Sequence, residues 1–324
     1  MNNPESVKLE VFTIPLKPVE GYDNNSFEDL ILNTPGVILE NNLFTEFYQR
    51  FLNHLDLGYT EVRSKAFTLS TSADEFNHDA TNEIIWGVLK GGPKGSGKTK
   101  SPINNRETEE DLNGNVINDK YFFYLYFPLD SNYGYLFFQI YGGESIRKEF
   151  IQHITDLFKI RGKYNKPEPS AILPNSIRDE FKNNSRVVGL SYLTNTLSSS
   201  MTTDAEFSNL CREYDIEISI KPKGDNNISP ERVNLLDQVI SRLSFNNLSL
   251  SRSRSKKVSL QNLSSNKTST FELDTSDVMP RIYLDGKVPL DANGTPNFMN
   301  LKLFCDNLLR EIVAGEYTRI SRRW

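Results

Sequence analysis

Cysteine is scarce in this chain, and its scarcity argues against two kinds of stabilising site. The 324 residues include only Cys211 and Cys305. Neither belongs to a Cys-x-x-Cys pair or has a histidine nearby, so neither a disulfide framework nor a zinc site is supported. We expect no metal, no cofactor and a reducing compartment, where few disulfides form.

Long apolar runs are also missing. The longest, Tyr121–Pro128, is far shorter than the stretch that a helix needs to cross a bilayer. The segment Met1–Glu5 shows no basic residues followed by an apolar stretch, which is the pattern of a secretory signal. We therefore expect a cytoplasmic protein without direct membrane insertion.

Aromatic residues are plentiful, and charge is unevenly spread. The 20 Phe and 14 Tyr can build a sizeable core. Residues 1–150 carry 13 Lys and Arg against 22 Asp and Glu, a net charge of −9, whereas residues 151–324 carry 24 against 20, a net charge of +4. Such asymmetry is typical of a nucleic-acid or membrane partner for the basic half, although solvated faces of uneven charge are the commoner explanation.

Apolar periodicity predicts a mixture of strands and helices. The predicted strands are Lys8–Leu16, Phe67–Ser70, Glu83–Lys90, Lys120–Phe127, Tyr135–Tyr141, Arg186–Leu193 and Asp215–Lys221, with two or three more between 246 and 284. The predicted helices are Phe27–Leu32, Leu43–Leu57, Ser145–Ile160, Ser229–Phe245 and Asn300–Ala314.

Prolines near the middle of the chain predict a boundary. Pro167, Pro169 and Pro174 indicate a linker at 166–176 between a domain at 1–165 and another at 177–324. The fold class that follows is α+β. It consists of two mixed α/β domains, each a mostly antiparallel sheet with flanking helices.

The string Gly-Pro-Lys-Gly-Ser-Gly-Lys-Thr at 92–99 matches the phosphate-loop pattern without a mismatch. A phosphate loop needs a helix that starts at its lysine and threonine, so that amides and the helix dipole face the phosphates. Here Pro102 would fall within the first turns, and the acidic residues at 107–111 would repel a triphosphate. A nucleotide-dependent enzyme is thus a disfavoured alternative, and a loop between strands is the better interpretation of Gly92, Gly97, Lys98 and Thr99.

Arg147 and His153 have the Arg-x5-His spacing of the HEPN ribonucleases. On one helix the two side chains would lie near each other, as acid–base cleavage of RNA requires. That family is all-helical, however, whereas this helix follows a predicted hairpin. A nuclease using Arg147 and His153 is therefore an alternative hypothesis, and a histidine at a helix edge is the simpler interpretation.

Residues 238–271 contain no Asp or Glu. On a strand, Arg252, Arg254 and Lys256 would share one face at intervals of about 6.6–6.8 Å, with serines between them that can donate to phosphate oxygens. A charge-protected edge strand would show the same pattern. The predicted nucleic-acid-binding residues are Arg252, Arg254, Lys256, Lys257, Arg242, Lys267, Lys221 and Lys223.

Two regions of the chain resemble the RexA family of lambdoid phage exclusion proteins. One is Tyr121–Gly142, with its order of strand, proline, turn, glycine and strand before a helix. The other comprises Ile218–Lys223, the helix predicted after it, Phe245–Leu250 with its basic continuation, and Lys267–Leu273. The resemblance covers about half of the chain and lies in pattern more than identity. The chain departs from that family in a longer N-terminus and in the Gly/Lys loop at 91–100.

The resemblance implies a DNA-binding homodimer with a globular and a second mobile domain, acting in phage exclusion, an antiviral defence, beside an effector protein. Together with the basic stretch, it makes a non-enzymatic, largely sequence-independent binder of double-stranded nucleic acid the leading hypothesis. Contacts to phosphates hold a protein on a duplex but carry no sequence information.

Overall fold

The computed structural model describes residues 7–34, 42–55, 58–70, 72, 75–101, 109–141, 145–183, 185–194, 216–223, 244–245, 248–249, 255–263, 268–272, 282–284, 286–291 and 294–319. The fold is α+β, as the sequence predicts. Most of the helix predicted at 229–245 lies outside the described residues, and its last two residues form a short strand.

The strands, in chain order, are β1 (Lys8–Pro15), β2 (Lys17–Pro18), β3 (Thr60–Val62), β4 (Lys65–Leu69), β5 (Phe76–Asp79), β6 (Ile84–Pro93), β7 (Thr99–Lys100), β8 (Glu110–Asp111), β9 (Asp119–Tyr126), β10 (Tyr133–Ile140), β11 (Tyr164–Asn165), β12 (Ser170–Pro174), β13 (Ser185–Thr194), β14 (Ile216–Ile220), β15 (Ser244–Phe245), β16 (Leu248–Ser249), β17 (Ser255–Asn262), β18 (Thr268–Glu272), β19 (Ile282–Tyr283) and β20 (Tyr317–Arg319). The helices are α1 (Phe27–Leu32), α2 (Leu43–Leu55), α3 (Arg147–Thr155), α4 (Asn175–Asn183) and α5 (Phe298–Val313), and a 3-10 turn at Asp156–Phe158 follows α3.

The chain divides into two compact units, each built from separate segments. The first consists mainly of Met1–Ile172 and Arg281–Arg310, and the second of Leu173–Pro280 and Glu311–Ser321. This differs from the expected division into 1–165 and 177–324, because 281–310 belongs with the first unit. The reason is strand pairing: β19 pairs antiparallel with β1, the first strand of the chain.

The first unit is an antiparallel sheet in the order β12, β1, β10, β9, β6, β4, β3, with β19 beside β1 and β5 beside β6. On one face Phe123 and Phe138 lie 5.3 and 5.5 Å from the ring of Phe150 on α3. On the other face Phe122 stacks on Phe298 of α5 at 6.2 Å. Because helices cover both faces, β9 and β10 are apolar along nearly their whole length.

The segment predicted to be a linker, 166–176, contains β12. Its residues Ala171, Ile172 and Leu173 are buried, and Ile172 stands opposite Val11 of β1. The short apolar run between two prolines is enough for a strand, because proline is tolerated at strand ends. The structure therefore has a strand at 170–174, within the predicted linker 166–176, and the division between the two units falls between Ile172 and Leu173.

The second unit contains an antiparallel sheet in the order β14, β13, β17, β18, and α4 contacts β17. Among the described residues of the whole chain, no helix combines the length and apolarity that crossing a membrane requires.

Candidate nucleic-acid interface

The phosphate-loop string lies in a β-hairpin arm between β6 and β9. Thr99 and Lys100 form β7, which pairs with Glu110 and Asp111 of β8, so a strand stands where a phosphate loop would begin its helix. The Lys94 backbone N–H donates to the Ser64 carbonyl in the turn between β3 and β4. Three more N–H groups of the string donate within the arm: Gly95 to the Asn115 carbonyl, Gly97 to Asn113 Oδ1 and Lys98 to the Gly95 carbonyl. These amides are turned toward protein acceptors and not toward a common anion position.

The glycines of the string have a packing role in this arm. A side chain on Gly92 would overlap the carbonyl oxygen of Ile117, and one on Gly95 would overlap that of Leu112. Both glycines are buried, whereas Lys98 is exposed. Close approach of two backbones therefore accounts for the glycines without any phosphate.

Arg147, the first catalytic candidate of the nuclease alternative, forms an ion pair with Glu10 of β1. The Glu10 side chain is 2% exposed and that of Arg147 is 15% exposed, so the pair is largely excluded from water. The guanidinium also lies 6.0 Å from the ring centre of Phe12. These contacts anchor the start of α3 on the sheet.

His153, the second catalytic candidate, is engaged with another histidine. Its Nε2 lies 2.8 Å from the carbonyl oxygen of His54, and Nε2 of His54 lies 2.8 Å from the carbonyl oxygen of His153. Burial lowers the pKa of His153 below its usual value, and the nearby imidazole of His54 lowers it further. The bond to the His54 carbonyl and the carboxylate of Asp156 oppose that shift.

This lowered pKa predicts how stability depends on pH. The unfolded chain takes up a proton on His153 near the ordinary histidine pKa of about 6.5, whereas the folded chain takes it up only at lower pH. The contribution is therefore complete above about pH 6.5 and is lost as pH falls through the folded value. Urea unfolding at pH 7.5 and 5.5 measures the loss. We expect a smaller loss in His153→Gln, and an identical loss in both proteins would contradict the assignment.

A further group of side chains has a structural role and consists of Tyr124 on β9 with Lys302, Cys305 and Asp306 on α5. The Tyr124 hydroxyl donates to Asp306 Oδ1 at 2.8 Å, and Lys302 Nζ donates to Asp306 Oδ2 at 2.8 Å. Burial and the carboxylate of Asp306 raise the pKa of Tyr124 far above its usual value, and burial raises that of Cys305. Because the thiolate is the reactive form, Cys305 is a poor nucleophile.

The sheet of the second unit has one apolar and one polar face. The apolar face carries Val187, Leu190, Tyr192, Val258 and Leu260, all at most 6% exposed. Strict alternation would set Val187 and Leu190 on opposite faces, but the register shifts between Val187 and Gly189. This β-bulge takes up Val188 as an extra residue, so that Val187 and Leu190 both lie on the buried face.

The mostly polar face, called the open face below, consists of Arg186, Ser191, Leu193, Glu217, Ser219, Ser255, Lys257, Ser259, Gln261, Thr268 and Thr270. Each of these side chains is partly or fully exposed. Ser219, Ser191 and Lys257 form one row across neighbouring strands, and the register sets Glu272 beyond Lys257. In the next row the hydroxyls of Ser259 and Thr270 lie 3.1 Å apart.

The predicted basic residues divide between the two faces. Lys256 lies on the same side of β17 as Val258 and Leu260, which is the apolar face, whereas Lys257 lies on the open face. Lys221 and Lys223 are exposed directly after β14. The other four predicted residues, Arg252, Arg254, Arg242 and Lys267, lie outside the described residues.

Sequence reasoning missed most of the open face. The sequence predicts a binding face that carries Arg252, Arg254 and Lys256. On β17, the open face instead carries Lys257 and the serines Ser255 and Ser259. Hydroxyls at alternate positions on β17 and β18 were a usable signal. The local sequence carries no signal for the bulge at Val188, because the strand pairing that creates it is long-range.

Comparison with known proteins gives no relative on which to rest a function. No protein-family model matches the chain, and no curated protein matches it significantly. Among the described residues, no group of three or more His, Cys, Asp or Glu side chains is arranged to hold a metal ion.

Proposed function

We propose that this chain is a non-enzymatic, largely sequence-independent binder of double-stranded nucleic acid, acting in the cytoplasm through the open face of the second unit. The observation that carries the proposal is the composition of that face. Beside the carboxylate of Glu217, it offers hydroxyl, amide, guanidinium and ammonium groups, which are the groups that contact phosphates in nucleic-acid complexes.

The absence of aromatic residues from the described open face favours a duplex over a single strand. Proteins that bind single strands stack bases on exposed aromatic rings, and the aromatic residue of β13, Tyr192, is fully buried on the other face. A surface without exposed aromatic rings cannot stack on bases, so it is restricted to contacts with the sugar-phosphate backbone of the nucleic acid. That restriction also favours indifference to sequence.

The sequence next to these strands carries further positive charge. Arg254 immediately precedes β17, Arg252 lies three residues before β17, and Lys267 immediately precedes β18. By the resemblance to the RexA family, we further propose a homodimer that acts in antiviral defence beside an effector protein.

Reversing the charge of Lys221 and Lys257 tests the proposed interface. Lys221→Glu combined with Lys257→Glu is expected to weaken binding to a random-sequence duplex at least tenfold at about 50 mM salt, because two phosphate contacts become repulsive. The slope of log affinity against log salt between about 50 and 200 mM should fall by roughly two. Fluorescence anisotropy of a labelled duplex measures both quantities.

The matched control is Lys148→Glu with Lys159→Glu, which makes the same charge change at two exposed positions of the first unit. It should leave affinity within about twofold, since neither lysine belongs to the proposed interface. Equal weakening in both variants would mean a general charge effect. Unchanged affinity in the Lys221 and Lys257 variant, with its circular dichroism intact, would rule the interface out.

A further inference from the structure

Two of the three histidines form a reciprocal pair that nucleic-acid binding does not use. His54 lies in the last turn of α2 and His153 in the last turn of α3. Their rings stack with centroids 4.1 Å apart and planes 22° apart, and each Nε2 reaches the other residue's carbonyl at 2.8 Å. Each imidazole thus donates to a carbonyl in the last turn of the opposite helix, and the His153 carbonyl also accepts from the Asp156 backbone N–H.

The protonation chemistry of the pair follows from these contacts. A carbonyl oxygen only accepts, so both Nε2 atoms carry hydrogen and any added proton goes to Nδ1. A first added proton leaves both hydrogen bonds in place, and the C-terminal ends of the helix dipoles favour it. A second added proton sets two like charges face to face at the 4.1 Å ring separation.

The surroundings offer little to neutralise the second charge. The Asp156 carboxylate, one turn beyond His153, already accepts from Lys166 Nζ at 2.7 Å, so this pair brings no net charge. From β4 the ring of Phe67 meets His153 edge-on at 5.7 Å, an uncharged contact. The doubly protonated state therefore relaxes by separating the rings.

We propose that the His54–His153 pair is an acid-sensitive latch that joins the C-terminal turns of α2 and α3 while at most one imidazole is charged. Double protonation releases the end of α2 from α3. The rest of the first unit stays folded, because Phe47 and Phe51 of α2 are buried by contacts that do not titrate. The latch makes the end of α2 a segment whose order depends on pH.

Nuclear magnetic resonance on the full chain tests the latch. The imidazole carbons of the two residues should titrate in two separate steps, because strongly interacting groups share macroscopic constants. Amide exchange of the last turn of α2, corrected for the intrinsic rate, should accelerate on the order of tenfold between pH 7.5 and pH 5.

Two variants separate the latch from general acid sensitivity. His54→Gln with His153→Gln keeps neutral side-chain donors for both carbonyls, so exchange of the last turn of α2 should become insensitive to pH. His78→Gln is the matched control, because its ring stacks on Tyr48, outside the pair, and it should leave the acceleration intact. The proposal fails if the imidazoles of the wild-type chain titrate independently, or if exchange in the wild-type chain does not change with pH.

Discussion

Arg147→Met is expected to lower the free energy of unfolding by about 3–5 kcal/mol. The change takes the arginine away from Glu10, whose side chain is 2% exposed, and leaves a charge in a site from which water is excluded. Methionine keeps much of the length of the side chain, so lost volume contributes little. Urea unfolding at neutral pH measures the loss.

The control for Arg147 is its neighbour on the same helix. Lys148 is exposed, so Lys148→Met should change stability by no more than about 0.5 kcal/mol. Glu10→Gln combined with Arg147→Met should recover part of the loss, because it also removes the negative charge that Arg147 neutralises. If Arg147→Met were as stable as Lys148→Met, Arg147 would have no structural role, and the nuclease alternative would gain support.

Gly92→Ala is expected to destabilise the first unit by about 2–3 kcal/mol, whereas Lys98→Ala should cost less than about 0.5 kcal/mol. The added methyl group would overlap the Ile117 carbonyl oxygen. Neither backbone is free to move, because Gly92 pairs with Ala66 of β4 and the Ile117 N–H donates to the Pro93 carbonyl. Lys98 is exposed just before β7. Thermal or urea unfolding of the two variants gives the comparison.

The same two variants test the disfavoured nucleotide hypothesis. A working phosphate loop would show the opposite order, with Lys98→Ala abolishing binding of ATP or GTP. Calorimetric titration of the wild-type chain with both nucleotides completes the test. Micromolar binding that disappears in Lys98→Ala would overturn our interpretation of the arm.

The elements with strong local patterns were predictable from sequence. The helix predicted at Leu43–Leu57 is found at Leu43–Leu55, and the strand predicted at Lys120–Phe127 is found at Asp119–Tyr126. In both, aromatic residues repeat with the period of the element, and burial against neighbouring aromatic rings reinforces that pattern.

Features that depend on distant partners were not predictable. The sequence predicts a strand near β19, but no local pattern indicates that this strand pairs with Lys8 and Leu9 of β1. The face on which Lys257 lies depends on the register of β17 against β13, which includes a bulge. A shift of one residue exchanges the two faces of a strand, so local sequence could not separate Lys256 from Lys257.

The pairing of β1 with β19 also affects how the chain matures on the ribosome. Ile282 is the register partner of Leu9, so the edge of β1 at Lys8 and Leu9 stays open until most of the chain has been synthesised. At typical rates of about 5–20 residues per second, this interval lasts on the order of 14–55 seconds. During that time this edge and the strand faces that α5 will cover are accessible to chaperones, and most of the second unit emerges before the first is finished.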